Sequence, residues 1–173
     1  MNETIKTLLE RKSCRSFNKE QITDEHLNAV IDAGLAAPSG RNMQNTIIVA
    51  VQDKDTIERL SRINAEIMGV DSDPFYGAPT VCVVLGRSCG TTALEDGSLV
   101  IGNMLIAAYS MGLGGCWIHR ARQTFETEEG RALLREWGIA EDVFGVGNCI
   151  LGYPEGDFHP DYEIRDGRLF YVK

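Results

Sequence analysis

Residues 94–111 carry the longest helical pattern of the chain, and that pattern is apolar on more than one face. Leu99, Val100, Ile101, Met104, Leu105, Ile106, Ala107 and Ala108 leave no continuous polar stripe. A helix of this kind has to be covered nearly all round. A chain of 173 residues suits one compact domain and leaves little room for two. The pattern therefore predicts a single domain over residues 1–173 with this helix at its centre. Part of its cover is expected from a second subunit, and Gly97, Ser98 and Gly102 are small enough to let another helix approach closely.

The remaining segments alternate between the two periodicities. A first helix starts near Asn2 and is expected to carry Ile5, Leu8 and Leu9 inward. A second opens at Thr23, whose hydroxyl can cap free N–H groups, with Asp24 and Glu25 suited to the positive helix end. Ile22 can staple against Leu27, and Leu27, Val30, Ile31 and Leu35 recur at helical spacing. Residues 46–51 read as a strand. Asp53 or Asp55 caps a helix through Ile57, Leu60, Ile63 and Ile67 that stops at Gly69. Strands follow at 80–86, from Gly114 and at 144–153, a helix at 127–137, and a last short strand at 168–172. The pattern fits a mixed sheet sandwiched by helices.

The net charge is −8. That balance argues against nucleic-acid and anionic-membrane binding, which need a cationic footprint. No window approaches 18 uninterrupted apolar residues, so no membrane span is expected. The five cysteines, Cys14, Cys82, Cys89, Cys116 and Cys149, form no C-x-x-C pair, and three lie in apolar runs. A reduced, cytoplasmic setting without a leader segment is the simplest expectation.

Three segments could carry chemistry. Arg11-Lys12-Ser13-Cys14-Arg15 packs three cations and a hydroxyl into five residues of an acidic chain. If extended, it puts Arg11, Ser13 and Arg15 on one side, an arrangement that matches a phosphate dianion. A solvated basic turn has the same composition. Pro38-Ser39-Gly40-Arg41-Asn42-Met43-Gln44-Asn45 is polar and constrained, and its amides can pair with the edge of a heterocycle. It could equally be an ordinary helix-to-strand loop. Residues 112–119 place glycines ahead of Cys116-Trp117-Ile118-His119, permitting close approach to a flat ligand. They are not a dinucleotide fingerprint, since the glycines follow a helix and open a strand. His26, His119 and His159 are dispersed without metal-ligand spacing, so no metal site is expected. No side-chain nucleophile or acid–base pair stands out.

In this order, the three segments resemble the FMN-dependent nitroreductase family. Its R-R-S-x-R-like run reads here as residues 11–15, its P-S-x-x-N-x-Q run as 38–44, and its G-L-G-x-x-W-I run as 112–118. Phe75-Tyr76-Gly77-Ala78-Pro79 and Leu151-Gly152-Tyr153-Pro154 look similar as well. The resemblance implies an α+β fold, a mainly antiparallel sheet between helices, with the long apolar helix at a homodimer interface. It implies FMN between the subunits, with NADH or NADPH as reductant. Arg11, Ser13 and Arg15 would hold the phosphate and ribityl tail, with Lys12 nearby. Pro38, Ser39, Gly40, Asn42 and Gln44 would reach the ring from the other subunit. Trp117, Ile118 and His119 would lie beside N5 through their main chain. Two departures stand out. Asn45-Thr46 occupies the place of a family Pro-Trp pair, and Tyr162 and Ile164 stand where a Lys-x-Arg pair completes the phosphate clamp, with Arg165 expected to substitute. The implied reaction is ping-pong hydride transfer to a nitroaromatic or quinone. The alternatives are a flavin-sequestering protein without turnover, or a specialised enone reductase or dehalogenase on the same fold.

Overall fold

The computed structural model describes residues 1–139, 142–156 and 165–173. Four strands form one sheet: β1 (Thr46–Val51), β2 (Thr80–Arg87), β3 (Gly114–Ile118) and β4 (Val143–Gly152). The order is β1-β2-β4-β3 and every pairing is antiparallel. Antiparallel sheets often leave one face to water, which gives strands a polar–apolar alternation. Here both faces are covered. Val81, Cys82, Val83, Val84 and Leu85 are all inaccessible to solvent, so the central strand β2 reads as a continuous apolar run.

The two covers are different. One face holds Val81, Val83, Leu85, Cys116 and Ile150 against Leu60, Ile63, Phe125, Leu133 and Leu134. These belong to α3 (Lys54–Met68), α5 (Ala121–Glu126) and α6 (Glu128–Glu136). The other face holds Cys82, Val84, Val146, Cys149 and Leu151 against Leu27, Val30, Val100, Ile101, Met104 and Ala108. These helical residues lie on α2 (Asp24–Leu35) and α4 (Ala93–Ser110). Four of the five cysteines are buried and none is disulfide-bonded; burial pushes the Cys82 thiol up to about 12.

Local chemistry sets the helix ends where the sequence places them. Thr23 and Asp53 cap α2 and α3 by accepting from the N–H groups of His26 and Thr56, and α3 stops at Gly69 with φ 70°. Ile22 and Leu27 are both buried in the same core cluster. Three expectations are corrected. The first helix, α1 (Glu3–Glu10), buries none of its residues, and Ile5, Leu8 and Leu9 are nearly half exposed. Its apolar face is real, but the described residues cover it only in part, chiefly through α4. Residues 168–172 form no strand, because no strand among the described residues pairs with them; Leu169, Phe170, Tyr171 and Val172 are exposed. The short α5 was not expected at all. The apolar helix α4 is buried within the chain along Val100, Ile101, Met104 and Ala108, while Leu94 and Leu99 face outward.

Candidate functional site

The basic segment runs along the free edge of β3. The Cys14 N–H donates to the Gly115 carbonyl at 3.0 Å. Beyond it, Phe17 bridges Pro154, the Asn18 N–H donates to the Tyr153 carbonyl, and the Glu155 N–H to the Ser16 carbonyl, both at 3.0 Å. Cys14 turns inward and is fully buried beneath Gly114, where a β-carbon would sit 2.7 Å from its sulfur. Ser13 is half-buried and Arg15 exposed, as alternation along an extended segment requires. Lys12 Nζ reaches the Leu9 carbonyl at 3.3 Å.

Arg11 is the unusual member. Its Nη1 is buried and has no hydrogen-bond partner among the described residues. A buried cationic donor left unmatched costs more than an ordinary lost hydrogen bond, on the order of 1–3 kcal/mol or above. Neither Arg11 nor Arg15 has a carboxylate partner among the described residues. The arrangement suits an anion with several acceptor oxygens.

The third segment is continuous with the first. In an extended strand the N–H and C=O of one residue point to the same edge. Gly115 faces outward, since its carbonyl accepts from Cys14, so Trp117 faces outward too. Its peptide N–H therefore lies on the free edge of the sheet. Trp117 is half-buried against the α4 face, close over Gly147, where a β-carbon would come within 2.8 Å of the indole. Ile118 is buried in the opposite layer. His119 is exposed, and its carbonyl accepts from Asn64 Nδ2 at 2.9 Å. Asn64 is wholly buried in α3. It fixes the peptide at which the strand ends, before Arg120 turns into the left-handed region at φ 74°.

The second segment is elsewhere. Residues 38–45 precede Thr46, which pairs with Gly86, and Gly86 pairs with Phe144 at the start of β4. The basic segment meets Gly115, which pairs with Leu151 near the end of β4. Seven residues of strand separate those levels, about 23 Å at 3.3 Å per residue. Within one chain the first and third segments share a sheet edge, and the second stands apart from the first.

The loop itself is strained. Arg41, Asn42 and Gln44 have φ of 52°, 54° and 51°. Each non-glycine residue held there costs on the order of 1–3 kcal/mol and persists only where the surroundings impose it. Internal bonds contribute: the Gln44 N–H donates to Ser39 Oγ at 3.0 Å, and its side-chain amide to Asn42 Oδ1 at 3.1 Å. Pro38, Asn42 and Gln44 are exposed, while Ser39 and Gly40 are half-buried. The loop is anchored to the start of α4, where the Gly40 N–H donates to Asp96 Oδ1 at 3.0 Å.

Arg165 is exposed. Tyr162, Ile164 and His159 lie outside the described residues. Among the described residues no cluster of His, Cys, Asp and Glu could hold a metal, and no helix is long and apolar enough to cross a membrane. Two site residues escaped the sequence reading. Asn64 had left a signal, a polar residue beside Ile63 on a helix whose apolar face is buried; Asp96 had left none, because an acid near a helix start is ordinary.

Comparison with known proteins bears on the family and the fold. The model of the nitroreductase family matches residues 8–74. An NADPH-flavin oxidoreductase of Vibrio harveyi is 33% identical over 95% of this chain and 70% of its own length. A Bacteroides fragilis nitroreductase solved with bound FMN superposes with a TM-score of 0.92, at 29% identity over the whole of both chains. A Desulfitobacterium hafniense nitroreductase, also with bound FMN, gives 0.89 at 26% identity, again over both whole chains.

Proposed function

This chain belongs to the nitroreductase family, and on that footing we propose that it is an FMN-dependent oxidoreductase that takes hydride from NADH or NADPH. The observation that carries the reading is Arg11 Nη1, a buried cationic donor without an acceptor, on a sheet edge of an acidic chain. A phosphate ester supplies the missing acceptors.

Arg11, Ser13 and Arg15 hold the phosphate and ribityl tail in this reading, with Lys12 beside them and Arg165 completing the clamp. The outward N–H at Trp117 donates toward the ring at N5, with Ile118 and His119 continuing that edge. Asn64 keeps this edge in register by bonding the His119 carbonyl. Pro38, Ser39, Gly40, Asn42 and Gln44 approach from a second copy of the chain, which accounts for a loop held in a strained shape so far from the basic segment. The bound flavin supplies hydride exchange between the nicotinamide and an electron-poor acceptor, a nitroaromatic or a quinone. Reductant and acceptor use one slot in turn, so the kinetics are ping-pong. No side-chain acid or base is needed in this reading, and His119 contributes through its main chain.

A homodimer is supported by apolar surface that this chain leaves uncovered: Ile5, Leu8 and Leu9 on α1, Leu94 and Leu99 on α4, and Leu169 to Val172. Where such residues join into one contiguous patch, the patch marks an interaction surface. The unpaired buried thiols suit a cytoplasmic setting, and residues 1–173 are read as one flavin-binding domain.

The test is optical. Purified protein carrying FMN is mixed anaerobically with NADH or NADPH. Bleaching of the visible flavin band, and its return on adding a quinone, is the expected result. A yellow protein that neither nucleotide bleaches would be a flavin-sequestering protein instead.

A further inference from the structure

Asp96 is the one buried charged residue among the described residues, with 4% of its surface exposed. An acid in the first turn of a helix ordinarily serves the dipole and needs no contact beyond its own helix. Glu95, beside it and exposed, already fills that role. Asp96 turns inward and divides its carboxylate. Oδ2 accepts from the Thr92 hydroxyl at 3.1 Å, and Oδ1 accepts from the Gly40 N–H, 56 residues earlier in the chain, at 3.0 Å.

The fit around this contact is close. A β-carbon on Gly40 would lie 2.3 Å from Thr92 Oγ1, so the loop presses directly on the helix start. The far end of the loop is tied to the same region, where Asn45 accepts from the Arg87 N–H at 2.9 Å. Between these anchors stand the left-handed residues Arg41, Asn42 and Gln44. Left unclamped, they would relax toward ordinary backbone angles, and their side chains would turn away from their present directions.

We propose that Asp96 is a positioning residue: its carboxylate holds Gly40 against the start of α4 and so presents Ser39, Asn42 and Gln44 in the shape that meets the flavin. The inference rests on the reading that this loop contacts FMN. It also assigns a second, flavin-independent property. The Arg41–Asn42 bond is a trypsin site whose protection depends on the clamp.

Two measurements are made on the same variants: FMN titration into flavin-stripped protein, and tryptic cleavage after Arg41 in the absence of flavin, followed by intact mass. Both are run well below the melting temperature of each apo variant. Asp96→Ala should weaken FMN binding roughly tenfold or more, the scale of one charge-assisted hydrogen bond, and speed cleavage by a similar factor. Asp96→Asn keeps an acceptor for Gly40 and should stay within about threefold of the original chain in both. Asn42→Ala separates the two layers of the argument. If it weakens FMN binding while Asp96→Ala does not, Asp96 does not position the loop and the proposal falls. If cleavage rises in Asp96→Ala yet neither variant affects FMN, the clamp is real and the flavin role of the loop is wrong. Should Asp96→Ala not fold, Asp96→Leu keeps the branched shape without an acceptor for Gly40, and unchanged cleavage and FMN affinity in that variant overturn the proposal.

Discussion

Two groups of arginines contrast on this molecule. On the outer surface of α3 and α6 each one is matched. Arg59 bonds Glu136 at 2.9 Å and lies 3.7 Å from Glu129, Arg62 bonds Glu66 at 2.9 Å and also reaches Glu129, and Arg131 and Arg135 share Glu128. Along the edge of β3, Arg11 and Arg15 have no carboxylate partner among the described residues, although acids outnumber bases in the chain, 25 to 17. In a protein with acids to spare, an arginine whose buried Nη1 meets no acceptor among the described residues marks a place suited to an anion. The matched group links α3 and α6 at the surface; the unmatched group is the one that the proposed phosphate contact uses.

The largest effect should come from breaking the unmatched pair. Removing Arg11 and Arg15 together deletes two charge-assisted contacts of about 1.5–3 kcal/mol each, so FMN affinity should fall by roughly 10²–10⁴. Far-ultraviolet circular dichroism should stay unchanged. Undiminished flavin occupancy in the double alanine variant would refute the phosphate assignment. Arg165→Ala comes next, with an expected loss of roughly tenfold, one contact instead of two. An unaltered FMN dissociation constant there would mean that Arg165 does not complete the clamp.

The matched group should behave in the opposite way. Arg59→Ala with Arg62→Ala should leave FMN affinity within about twofold and lower the melting temperature by only about 1–4 °C, because exposed ion pairs contribute little. A flavin defect in that variant would erase the contrast between the two regions.

The smallest effect is pH-dependent. A hydrogen bond from Arg135 holds the Glu128 carboxyl below its ordinary value of 4.5, and one from Arg59 does the same for Glu136. A carboxyl whose folded value is depressed contributes stability above its unfolded value and loses it as pH falls through the folded one. The melting-point gap between the original chain and a Glu128→Gln/Glu136→Gln variant should therefore be full near pH 7 and close on acidification below about 4.5. A gap independent of pH would show that these pairs act through packing alone.

Much of this was legible before any coordinates. Asp53 and Gly69 bracket α3, Thr23 opens α2, and β-branched runs mark β1 and β2, because caps and burial are local or nearly local causes. Residues 11–15 announced themselves by charge. What sequence could not supply was the neighbour. Residues 168–172 have strand composition but no strand to pair with among the described residues, and α1 has an apolar face that those residues leave nearly half exposed. Helix α5 is six residues long and follows a left-handed arginine, too short for periodicity to register. Asp96 was one acid among many until Gly40 was found against it.

The two tryptophans occupy opposite sides of the sheet. Trp117 lies over Gly147 on the α4 side, while Trp137 packs edge-on to Phe125 on the other, with ring centroids 6.0 Å apart. The molecule thus contains its own lamp beside the third segment and a reference lamp behind the β-layer. In a chain simplified by Trp137→Phe, the remaining emission would dim as the cofactor loads, giving a label-free occupancy gauge that needs no turnover.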